Sequence, residues 1–135
     1  MSIVSVRAAL ETKLAAITPA LATAYENAPY TPVAGTPYQA AYLLTATPEN
    51  PTMGDGYYRE QGIFQISLFY PLQAGSGTAA ARAILIQAAF KRGTSMTSGS
   101  VTVKITRTPE ISQGRVDGDR WHVPVKIVWH ANINA

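Results

Sequence analysis

Ile3, Val6, Leu10, Leu14 and Ile17 recur at helical spacing, with Arg7, Glu11 and Lys13 between them. A stripe of that kind predicts an amphipathic helix over residues 3–17. Ser2 is placed to cap it, and Pro19 stops it, because the residue before a proline is pushed out of helical space. Leu21–Asn27 alternates loosely and reads as a short strand. Residues 28–37 carry Pro29, Pro32, Gly35 and Pro37 and read as a loop or irregular edge. Strict alternation then takes over. Tyr38–Thr47 puts Tyr38, Ala40, Tyr42, Leu44 and Ala46 on one face, and Glu60–Tyr70 separates Phe64, Ile66, Leu68 and Tyr70 from Gln65 and Ser67. That is the pattern of an antiparallel sheet with one covered face.

A second helix is predicted over 78–92, opened by Gly75-Ser-Gly-Thr78 with Ser76 or Thr78 as cap. Gly93 stands where a helix-ending glycine belongs, and Lys91 and Arg92 complement the helix dipole. Its apolar arc is wider than one sheet face needs, so Ile84, Ile86 or Phe90 is left to meet the first helix or another subunit. Val101–Ile105 and Trp121–His130 alternate as two further strands, separated by a second long connection, Pro109–Asp119, with Gly114 and Gly118. Pro124 cannot donate to a ladder, which points to an edge or a bulge. The order of elements predicts one α+β domain over residues 1–135: a mostly antiparallel sheet of four to five strands, with two helices packed on one face.

The connection Pro48–Arg59 departs from economy. A hairpin closes with two to five residues, whereas this arm is polar and rich in proline and glycine. Long loops in compact domains are usually functional or disordered. Tyr57 and Tyr58 stand side by side on it, and tyrosine is enriched in protein contacts. They either dock on a neighbour or tuck back as the strand restarts. Glu49, Asp55, Arg59 and Glu60 give the segment a net charge of −2, opposite to the +3 of the chain. The candidate contact set is therefore Glu49, Met53, Asp55, Tyr57, Tyr58, Arg59, Ile84 and Phe90, with Arg115 from the second long connection.

Composition narrows the function by exclusion. There is no cysteine, which fits a reducing compartment and removes thiol chemistry. No stretch approaches the ~20 apolar residues of a membrane span, and no signal peptide is expected at the N-terminus. Charged residues make up only 14% of the chain, and lysine and arginine are scattered apart from Lys91-Arg92. His122 and His130 share a strand face but lie eight residues apart, roughly 26 Å at strand rise, too far to share a metal or a proton. Both read as polar residues on the open face. Asp117-Gly-Asp119 reads as a turn, without the spaced ligands and terminal Glu of a calcium loop. Gly75-Ser-Gly-Thr78 lacks a Walker lysine, and no GxSxG frames any serine. No enzyme, cofactor or metal is expected. The alternative function is a nucleic-acid-binding module using Lys104, Lys126, His122 and His130 on the open sheet face.

The opening Ser2-Ile-Val-Ser-Val-Arg-Ala-Ala-Leu-Glu-Thr-Lys-Leu14, the Tyr25-Glu-Asn27 strand leading to a proline, and Gly62-Ile-Phe-Gln-Ile-Ser-Leu-Phe-Tyr-Pro71 resemble tail terminator-like proteins of long-tailed phages. So do the Ala-rich helix ending in Phe90-Lys-Arg-Gly93 and the closing Trp121-His-Val-Pro-Val-Lys-Ile-Val-Trp129. The resemblance implies a small α+β subunit of the virion, assembled in the host cytoplasm into a ring, commonly a hexamer. Such a ring caps the tail tube, stops its growth and presents a surface for a head-completion protein. Phage DNA passes through the hole without specific binding.

Overall fold

The apolar stripe of the first segment forms α1, Ser2–Ala15. Val6, Leu10, Leu14 and Ile17 are buried, each worth roughly 1.5–3 kcal/mol for a fully covered aliphatic side chain. Ile17 lies past the helix proper. A tightened last turn carries it, in which Ile17 N donates to Leu14 O at 3.3 Å. This computed structural model describes residues 2–18, 21–26, 28–33, 35–51, 53, 56–72 and 77–134. The predicted stop at Pro19 and the cap at Ser76 fall outside them. Thr78 is not the alternative cap, because α2, Gly77–Ala89, already includes it.

Among the described residues eight strands form one mixed sheet: β1 Thr23–Tyr25, β2 Tyr38–Thr45, β3 Tyr57–Pro71, β4 Ser95–Ser98, β5 Val101–Ile105, β6 Glu110–Ile111, β7 Arg115–Asp117 and β8 Arg120–Asn134. The spatial order is β1-β2-β3-β8-β5-β4, with β6 and β7 also paired to β8. The expected four to five antiparallel strands are thus too few, and one pairing has the other sense. β1 runs parallel to β2, because the proline-rich loop between them is long enough to carry the chain back to the start of β2. Gln39 seals that pair: its N–H donates to Ala22 O at 2.9 Å, and its buried Nε2 donates to Thr23 Oγ1 at 3.0 Å.

β3 and β8 are the spine, paired along their full length from Tyr57 opposite Asn134 to Pro71 opposite Arg120. On one face Phe64, Ile66 and Leu68 of β3 join Val125, Ile127 and Trp129 of β8, all fully buried. Both helices cover this face, α1 over β4 and β5, and α2 over β3, β6 and β8. Pro124 sits mid-strand in this central β8, not on an edge strand but where residues 112–114 face only Val123 and Pro124, between Ile111 opposite Val125 and Arg115 opposite His122. Its carbonyl accepts from Ser112 N at 2.9 Å. The missing proline N–H therefore faces the gap between β6 and β7, where no ladder bond is lost.

Candidate assembly surface

At one end of the spine the chain does not leave the sheet where the sequence suggested. β3 begins at Tyr57 rather than Glu60, because Asn132, Ile133 and Asn134 of β8 offer it ladder partners. Tyr57 Oη donates to Asn132 Oδ1 at 2.9 Å, and Arg59 Nε donates to the same oxygen at 3.1 Å. Tyr58, on the opposite face, packs against the core. The arm is accordingly shorter, residues 46–56, and its root also follows β3. Ala46 N donates to Gln61 O at 2.9 Å, and Glu49 exchanges both backbone bonds with Arg59 at 2.8 and 2.9 Å. Met53 is 100% exposed, and Asp55 lies outside the described residues.

Beside the arm, the face of the sheet away from the helices is open and partly apolar. Leu44, Ile63 and Val128 stand in register across β2, β3 and β8, next to a row of Tyr42, Gln65 and Lys126. Leu44 is 48% and Tyr42 38% exposed. A groove of about 410 Å³ takes in the Ile63–Val128 end of this row, lined also by Glu49, Arg59, Thr106 and His130. His130 Nδ1 is 2.7 Å from Thr106 Oγ1. Burial lowers the pKa of His130, the Arg59 and Lys104 charges lower it further, and Glu49 partly offsets them. The face was legible in the sequence but not its exposure. Leu43 and Leu44 are adjacent, so both faces of β2 look apolar, and the core takes Ala41 and Leu43.

A family model described as phage tail terminator protein matches residues 5–129. The chain belongs to the phage tail terminator family. That is a family of structural virion proteins, not of enzymes. Among solved structures, one chain 28% identical to this terminator aligns over 100% of it and 99% of its own length with a TM-score of 0.81. Another, from the virion of a native gene transfer agent particle, is 20% identical, covers 98% of this chain and 97% of its own, and has a TM-score of 0.62. This second likeness is one of fold. No curated protein matches.

The remaining sequence candidates of the terminator separate by burial. Ile84 is 58% exposed on α2. Phe90 is fully buried, its ring tilted against Phe64 at 6.1 Å between centroids, so within the subunit it is a core residue. Arg115 is exposed on β7, directly opposite His122.

His122 lies on the face away from the helices, as the sequence suggested, but it is covered there and only 6% exposed. It ends a stack that crosses three strands: Tyr30 on Tyr38 at 5.2 Å, Tyr38 on Phe69 at 4.9 Å, and Phe69 on His122 at 4.7 Å. Arg120 lies 4.8 Å above the Tyr38 ring and donates to Val33 O at 2.7 Å and Thr36 O at 2.6 Å, strapping the proline-rich loop over the stack. Among the described residues neither His122 ring nitrogen has a hydrogen-bond partner, and Asp117 Oδ2 is 4.0 Å away. Burial, and then the Arg115 charge, lower the pKa of His122 against a smaller opposing effect of Asp117. The four-residue open-face nucleic-acid site loses more than His122. Lys126 stands in register with Glu110, an acidic neighbour on the adjacent strand.

Proposed function

We propose that this terminator closes head-to-tail into a ring, a hexamer, at the head-proximal end of the tail. The ring caps the tube protein, ends its polymerisation and presents its other surface to a head-completion protein, while DNA passes through the hole. Closed rings need a heterologous contact, in which one patch meets a different one. The observation that carries this reading is a wholly exposed Met53 on a polar arm, in a subunit that also leaves Tyr42 and Leu44 uncovered on its sheet face. An exposed apolar patch of that kind marks a contact site. Glu49, Asp55, Tyr57 and Arg59 belong to the arm side of the contact, and Ile84 and Arg115 are further surface positions for a neighbour, the tube or the head protein.

Light scattering on the purified chain tests it. A mass of six subunits is expected, falling to that of one when residues 48–56 are replaced by Asn-Gly. A wild-type chain that stays monomeric at high concentration, both alone and with tail tubes, would overturn the ring.

A further inference from the structure

Two of the cations that look scattered in the sequence, Arg92 and Arg107, are brought together by the fold. Between Glu60 and Glu110 there is no acidic residue, yet Lys91, Arg92, Lys104 and Arg107 all fall there. α2 ends at Ala89, and Gly93, at φ 88°, turns the chain so that its N–H donates to Ile105 O at 2.9 Å. Ile105 N returns a bond to Thr94 O at 2.9 Å. Thr106 N is held by Val128 O at 3.0 Å, and Gln87 Nε2 on α2 donates to Pro109 O at 2.9 Å. The segment 106–108 is thus fixed at both ends against the last turn of α2. Between the two lies a cleft of about 450 Å³ lined by Arg92, Thr106, Arg107 and Thr108. Among the described residues none of the four cations has an ion-pair partner. Elsewhere Arg7 is answered by Glu11 and Glu26.

We infer that this cleft is a contact site for the phosphate backbone of nucleic acid, with Arg92 and Arg107 as the phosphate ligands and Lys91 and Lys104 as flanking charge. Guanidinium groups match phosphate oxygens in pairs, and threonine hydroxyls are common phosphate donors. The lining holds no apolar side chain. A protein-docking patch would have an apolar or aromatic centre, whereas nucleic-acid interfaces are polar and strongly positive. No base-reading element accompanies the cleft, so the contact is independent of sequence. Its cations belong to neither the arm nor the apolar row, and Thr106 is the one lining residue it shares with the groove beside them.

Fluorescence anisotropy with a labelled random-sequence duplex tests the inference at several salt concentrations. Four neutralised phosphates give a slope of log K against log salt of about −3.6, and the Arg92→Gln/Arg107→Gln variant should be shallower by about 2, with roughly tenfold weaker binding at low salt. Arg92→Lys/Arg107→Lys keeps the charge and should restore the salt slope while binding more weakly than wild type, because the paired contacts are lost, which separates a lost contact from a lost fold. Lys13→Gln/Lys126→Gln removes the same charge elsewhere and should change little. The inference is overturned by flat binding at low salt, by an equal loss in the Lys13/Lys126 variant, or by equal binding of polyglutamate of matched charge, which would mark an acidic protein as the partner.

Discussion

Trp129 lies across Gly62. A Cβ built on Gly62 would fall 3.1 Å from the indole Cζ2 and only 2.2 Å from the Leu44 carbonyl oxygen of the neighbouring strand. The tight approach of β2 to the spine and the burial of the largest core side chain therefore depend on one absent methyl group. Trp129 Nε1 has no hydrogen-bond partner among the described residues, so packing alone holds the ring. Gly62→Ala is expected to destabilise the fold by about 1–3 kcal/mol, the usual cost of overpacking. Gly56→Ala, with nothing within 4 Å of the added carbon, is the matched control. Urea midpoints should fall for the first with an unchanged slope and stay put for the second.

Ile84 and Phe90 sit on the same helical segment with opposite exposures, and this predicts opposite phenotypes. Phe90→Ala empties a site against Phe64 and should cost about 3–5 kcal/mol in chemical denaturation. Ile84→Ser should leave the midpoint within about 0.5 kcal/mol of wild type, as surface changes do. If Ile84 meets a neighbour in the ring, the same variant lowers the mass seen by light scattering at limiting concentration. A large loss of monomer stability in Ile84→Ser would show that the side chain packs within its own subunit.

What the sequence disclosed divides along physical lines. The stripe of α1 and the alternation of β8 were legible because each is long enough for its period to repeat. β4, β6 and β7 were not, since two to four residues carry no period, and all three exist by borrowing a partner strand. Tyr57–Arg59 looked like loop because Gly54 and Gly56 precede it, and only the extra length of β8 makes it strand. Arg92 and Arg107 were invisible as a pair, because the Gly93–Ile105 bond that unites them is a tertiary event. The arm, by contrast, was visible as an excess of loop over what a hairpin needs, and Met53, wholly exposed on it, was among the candidates.

Arg120 grips the loop before β2 with geometry that only a guanidinium supplies, two carbonyls in one fork and an aromatic face beneath. Arg120→Lys keeps the charge but loses the fork. The expected effect is about 1.5–3 kcal/mol for Arg120→Ala, the range for hydrogen bonds to charged groups, with Arg120→Lys recovering less than half. Hydrogen exchange should rise locally over residues 30–37 in both variants. Exchange rising uniformly over the chain would place the role of Arg120 in global stability rather than in fastening this loop.

His122 makes the stability of the subunit depend on pH. Its burial and then the Arg115 charge lower its folded pKa below the ordinary histidine value, with Asp117 opposing. Above the unfolded pKa, near 6.5, the ring is neutral in both states and costs nothing. As pH falls through 6.5 the unfolded chain takes up a proton that the folded chain refuses, so stability declines until the folded pKa is reached. His130 is shifted the same way and adds to the slope. Urea midpoints measured between pH 8 and pH 5 should therefore fall with acid. His122→Phe, which keeps the stack and removes the titrating group, should flatten part of that fall, and His122→Phe/His130→Gln more of it. A midpoint that falls as steeply in the double variant as in wild type would assign the acid sensitivity to the carboxylates instead.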